Sequence, residues 1–386
     1  MAHPQPGNPD RGTALSSSRR DFLRWAAGSC IYSKLNLLTP PGQTLSLSRR
    51  KAVVVTFGGG ARDDETFDAA GQENIPNLVR SLIPQATFFT HVMNRGILGH
   101  YVATASLATG VYEKFDNFAA VPPENPTIFE YFRKDLNRPA TDAWVVAPSN
   151  GFNRIGESGN RLYGAGSGAG VILPKQLLSQ VVAGKGATDY EHLLRDNYET
   201  PFYSPQVTGN EMALQTLSET LRLSVSDFAQ HARHLNSADE LSVYVAQRLM
   251  RQYSPSLLWI TLHDIDVAHT GSFSLYVDAI RRSDRLCSEI WSEIQSNPEY
   301  AGKTTMFIAP DFGRDGDDTV GGNGFQHHRT GDAVSRTTWM MVLGPGIRQN
   351  TVVERPVETI DLVPTLGAMC GFSPRLSRGR PLLEVL

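Results

Sequence analysis

The stretch Leu257-Leu258-Trp259-Ile260-Thr261-Leu262-His263-Asp264-Ile265-Asp266-Val267-Ala268-His269 decides how this chain is read. A strongly apolar run stops abruptly at residues able to bind a metal or carry a proton. Two further runs have a similar setting. Pro310-Asp311-Phe312-Gly313-Arg314-Asp315 follows apolar residues 306–309, and Gln326-His327-His328-Arg329 lies shortly before the apolar residues 339–343. Strands that end in Asp and His point to a metal site at the carboxyl edge of a parallel sheet. Open α/β sheets bind ligands at that edge.

Outward from these runs, short apolar segments recur at 52–57, 86–90, 143–147, 304–309 and 338–343. They are β-branched or aromatic, lack polar alternation, and are mostly separated by helical patterns. Such strands predict a parallel sheet covered on both faces. Residues 272–296 are apolar at helical spacing and stop at Asn297-Pro298, which predicts the clearest helix. Residues 210–253 are also helical in pattern. The Gly-rich stretch 151–170 reads as a long loop near the site or a surface excursion. There is no internal repeat, so one α/β domain over 51–386 with a helical insertion is expected.

The composition is that of an ordinary globular protein, 40% hydrophobic and 19% charged over 386 residues, enough for a large core. A net charge of −3 gives no global basic field for nucleic acid. Cys30, Cys287 and Cys370 are too few and scattered for a disulfide framework, and Cys287 falls on the apolar face of the 272–296 helix. No apolar run is long enough to span a bilayer. Residues 1–50 form a polar leader, a signal and a linker. Within them Ser18-Arg19-Arg20-Asp21-Phe22-Leu23-Arg24, followed by Trp25-Ala26-Ala27-Gly28, resembles a twin-arginine export signal. The expected location is therefore periplasmic or extracellular. Ala27-Gly28-Ser29-Cys30 lacks the leading Leu of a lipoprotein site, so no lipid anchor is expected at Cys30.

Six segments in order resemble the alkaline phosphatase superfamily, which includes sulfatases, nucleotide pyrophosphatases and cofactor-independent phosphoglycerate mutases. Val53-Val54-Val55-Thr56-Phe57-Gly58-Gly59 is similar to the opening strand, and residues 99–112 resemble the segment after the nucleophile. Residues 264–271 resemble the Asp-x-x-x-His-x-Gly metal motif. Asp311-Phe312-Gly313 stands where the family has Asp-His-Gly, and His327 or His328 where its last metal-binding His lies. Leu343-Gly344-Pro345-Gly346 and residues 359–366 resemble the closing strand and final helix. The leader and the Gly-Gly-Gly and Phe-Gly-Arg motifs also resemble divergent, exported sulfatase-like branches. The resemblance implies a three-layer α/β/α sandwich with a mainly parallel sheet.

It also implies a metal held by Asp264, His269 and His327 or His328, with Asp311 as a ligand or general base and Arg314 binding an anion. Asp264 and Asp266 stand five and three residues before His269, where the family has four; Asp264 is preferred. His91, His100 and His263 read as hydrogen-bonded structural residues. The second metal site lacks ligands at Gly58 and Phe312, and the nucleophile position is Gly96, which closes the covalent route. One zinc or manganese ion is expected, with an open fourth position. Asp63, Asp64, Asp315, Asp317 and Asp318 offer oxygen ligands for calcium or magnesium, and are otherwise solvated loop acids. Two functions follow: an exported metal-dependent hydrolase of phosphate or sulfate esters, small or polymeric, or a non-catalytic binding protein on that fold.

Overall fold

The computed structural model describes residues 50–386 except 120, 149, 164, 183–186, 195–224 and 319–322. The leader, the twin-arginine-like segment, Cys30 and residues 210–224 lie outside the described residues, and the rest of the 210–253 pattern forms the helices Val225–Ala232 and Ala238–Tyr253. Nine strands form one sheet: β1 Lys51–Phe57, β2 Ala86–Met93, β3 Ala143–Val146, β4 Gly170–Ile172, β5 Leu257–Leu262, β6 Thr304–Ala309, β7 Thr337–Leu343, β8 Thr351–Val353 and β9 Val357–Glu358. The order is β4-β3-β5-β1-β6-β7-β2-β8, with β9 also on β2. All pairings are parallel except those of β7, which runs antiparallel to β6 and β2.

The strands are apolar throughout because both sheet faces are covered. On one face Val53, Val55, Phe57, Leu258, Ile260 and Leu262 pack with helices α3, Ala238–Tyr253, and α4, Phe273–Ser296. On the other, Ala52, Val54, Leu257 and Trp259 meet α1, His100–Thr109, α2, Ile128–Asp135, and α5, Leu362–Cys370. Each large apolar side chain so buried contributes about 1.5–3 kcal/mol. The expected three-layer sandwich is what the chain builds, and helices inserted between β4 and β5 include α3. Cys287 is buried in α4. Among the described residues no helix is long and apolar enough to cross a membrane.

Register places the site. Phe57 pairs with Leu262 and Thr56 with Ala309, so β5, β1 and β6 end at one level. Gly58, His263 and Pro310 therefore leave the sheet side by side. The turn after β1 needs glycine, since Gly59 and Gly60 have φ of +97° and +67°.

Candidate metal centre

Beyond His263 the chain forms a 3-10 helix, Asp264–Thr270. In that geometry residues three apart lie on one face. Asp266 and His269 therefore point the same way, and Asp264 points elsewhere. The Asp264 carboxylate meets Arg282, 3.1 Å from its Nη1. A third element, α1, presents His100 from its first residue, and the loop after the 3-10 turn Gly324–Gln326 brings in His328.

One ligand atom from each of His100, Asp266, His269 and His328 lies within 4.8 Å of the others. Asp266 Oδ1 is 3.0 Å from His100 Nε2, 3.0 Å from His269 Nε2 and 3.6 Å from His328 Nε2. The His269 and His328 Nε2 atoms are 2.8 Å apart. Donors about 2.0–2.2 Å from a tetrahedral zinc ion would stand roughly 3.3–3.6 Å from one another. Buried His100 Nε2 faces Asp266 Oδ1 at 3.0 Å, a spacing that a shared proton or a metal ion satisfies. The residues fit a divalent ion.

Neighbouring groups orient these rings. Asp311 Oδ2 accepts from His100 Nδ1 at 2.6 Å, and Leu98 O accepts from His328 Nδ1 at 2.9 Å, leaving both Nε2 atoms turned inward. Burial alone would raise the Asp266 carboxyl, but the charge on His100 and hydrogen bonds from His100, His269 and His328 hold it well below the usual range. Burial opposes charge on His100, yet Asp266 and Asp311 push its pKa up to about 10. Burial lowers His328 to about 4, and burial with the nearby His100 charge lowers His263 to about 3.

The other expected residues have different surroundings. Arg314, 0% exposed, donates to Asp266 Oδ1 at 2.8 Å, Gly60 O at 2.8 Å and Phe325 O at 3.1 Å, so its guanidinium faces the protein. The His327 ring lies 6.4 Å from that of His269 and outside the four-residue group. Asp311 reaches the group through His100. Arg62 pairs with Glu65 and Asp317, and Asp317 also accepts from Gly324 N. Asp315 accepts from Ser335 Oγ and Arg329 N, and the Asp64 side chain is 62% exposed. Among the described residues these acids form no second metal group. Fully buried Phe312 stands against His100 and His328, ring centroids 4.7 and 4.6 Å apart. A Cβ on Gly58 would lie 2.1 Å from Leu262 O, and one on Gly96 would lie 2.9 Å from Tyr112 Cδ1.

Asp239, in the first turn of α3, is a residue that no motif signals. Its fully buried carboxylate accepts from His263 N at 2.8 Å and Asp264 N at 2.8 Å, holding the start of the ligand-bearing helix. Burial, then the Asp264 charge, push its pKa well up. A raised folded-state pKa contributes stability that is fully present below about pH 3.9 and is lost as pH rises through the folded value. Asp239→Ala is expected to orphan both amides, at about 1–3 kcal/mol each. Asp239→Asn keeps one of the two acceptors and removes the charge, so it should be destabilised less than the alanine variant and lose less stability than wild type as pH rises. Urea unfolding of both variants from pH 4 to 8 checks this.

No family model matches the chain, and no curated protein matches it by sequence. Solved structures do. Wild-type alkaline phosphatase PafA aligns with a TM-score of 0.54 at 11% identity, over 88% of this chain and 100% of its own. A protein in the alkaline phosphatase superfamily from Vibrio parahaemolyticus aligns at 0.52 and 12% identity, over 96% and 79%. Lipoteichoic acid synthase LtaP from Listeria monocytogenes gives 0.50 and 9%, over 95% and 80%. The sheet and its covering layers thus have the fold of these alkaline phosphatase-like structures.

Proposed function

We propose that this chain is an exported protein that holds one divalent metal ion and has given up the covalent ester chemistry associated with its fold. One observation carries the reading: three imidazoles and a carboxylate converge, and the positions that the sequence resemblance assigns to a second metal and a nucleophile read Gly58, Phe312 and Gly96. Zinc or manganese suits this imidazole-rich set better than calcium or magnesium. Asp266, His269 and His328 hold the ion, and Arg314 holds Asp266 in place rather than clamping a substrate anion. The twin-arginine-like segment at 18–24 supports export. Recognition of a partner or glycan through a metal-stabilised surface is the role that fits best.

A second reading, a metal-dependent hydrolase of small or polymeric phosphate or sulfate esters, has one observation in its favour. The His269 and His328 side chains remain 15% and 14% exposed, so the group is not sealed from solvent. A bound divalent ion supplies Lewis-acid polarisation of an ester oxygen. The test is turnover of aryl phosphates, aryl sulfates and phosphodiesters by the metal-loaded protein. Rates at background support the binding protein. Metal-dependent turnover that disappears in Asp266→Ala would establish the hydrolase instead.

A further inference from the structure

We infer that His100 is the fourth protein ligand of this ion, that Asp311 has become its orienting carboxylate, and that the shell is complete without water. The inference rests on the single-metal reading and goes beyond it by assigning coordination number and the fate of Asp311. In the two-metal plan implied by the sequence resemblance, Asp311 is itself a metal ligand and the fourth position beside His269 and His328 stays open.

Three observations carry it. The first is direction. Asp311 accepts from His100 Nδ1 at 2.6 Å, so the ring's other nitrogen is the one free to ligate. That Nε2 belongs to a side chain only 10% exposed and lies 3.0 Å from Asp266 Oδ1. A buried lone pair held that close to a carboxylate oxygen is repulsive unless a proton or metal ion stands between them.

The second is equivalence. His328, already expected as a ligand, is held in the same manner: Nδ1 on a fixed acceptor, Leu98 O, and Nε2 turned into the group. Ligating histidines usually have such a partner on the second nitrogen. His100 differs only in having a carboxylate as that partner.

The third is closure. Phe312 places a fully buried apolar ring against both His100 and His328, on the side where the sequence pattern sets the second metal. A water or second ion on that side would lack polar partners. Four protein ligands with no open position are the mark of a structural rather than a catalytic zinc site.

The test uses the full-length chain loaded with Co²⁺, whose visible bands are intense when four-coordinate and weak when five- or six-coordinate. Wild type is expected to bind one equivalent with intense bands that azide does not change. His100→Ala should keep the ion but show weak, azide-sensitive bands. Asp311→Asn should keep the intense bands and bind Co²⁺ about 10–100-fold more weakly, as loss of an orienting partner does. His100→Gln serves if the alanine variant does not fold.

Spectra unchanged by replacement of His100, or wild-type bands that shift with azide, would overturn the inference and leave the single-metal reading standing. Failure of wild type to bind Co²⁺ would overturn both.

Discussion

Asp266→Ala is expected to abolish metal binding and to destabilise the metal-free fold by about 3–5 kcal/mol. The carboxylate is the hub of the site. One oxygen lies within 3.6 Å of three imidazole nitrogens and accepts from Arg314 Nη2. Arg314 is fully buried, so removing Asp266 leaves its guanidinium with the Gly60 and Phe325 carbonyls for support. Breaking a buried pair from one side carries a cost of that size. Its pH dependence has a definite sign. Because the Asp266 pKa is depressed on folding, its contribution is present above the unfolded value of about 3.9 and is lost as pH falls through the folded value. The stability deficit of the alanine variant should be complete at pH 7 and shrink only in strong acid. Denaturant unfolding of metal-free protein, with metal titrations at pH 7, measures both effects. A variant as stable as wild type that still bound one equivalent would refute the hub.

Installing the residues that the sequence resemblance expects should fail. Gly58→Asp, combined with Phe312→His and Gly96→Thr, introduces the side chains that resemblance assigns to a two-metal, covalent site. The first change drives a Cβ to 2.1 Å from Leu262 O, in a strand paired in register with β1. Backbone of two central strands cannot yield without loss of their ladder, so a cost of about 3 kcal/mol or more is expected. Gly59 makes the same point, for its Cβ would stand 2.7 Å from both Asp266 N and Ile265 Cβ. The glycine turn lies directly against the helix that carries Asp266 and His269. The glycines at 58 and 59 and the placement of Asp266 are thus parts of one packing arrangement. Gly58→Asp alone should lower the melting temperature sharply, and the triple variant should bind no second ion and gain no phosphatase turnover. A stable triple variant with two metals would show that the glycine turn is a removable obstacle.

The sheet was legible because its strands are apolar on both faces, as in Val53-Val54-Val55 and Leu257-Leu258-Trp259-Ile260, and this pattern belongs to buried parallel sheets. The antiparallel setting of β7 was not legible, since a strand buried on both faces has the same composition in either direction. At the site, the Asp-rich stretch announced metal chemistry, but the choice between Asp264 and Asp266 depends on local helix type. A spacing of three to His269 suits a 3-10 turn, and the structure brings Asp266 into the group and Asp264 onto Arg282. His100 read as a hydrogen-bonded structural residue, and it does pair with Asp311. Its second nitrogen faces the group only because α1 is buried on all sides and begins beside β6, a long-range arrangement that leaves no local pattern. Asp239 gave no signal because it acts on backbone amides, 24 and 25 residues away in sequence.

Metal content tests the central claim most directly. The folded, full-length protein should contain about one equivalent of zinc or manganese by elemental analysis, and Asp266→Ala none. Two equivalents in wild type, or none in a protein that folds normally, would contradict a single metal centre at the carboxyl edge of the sheet.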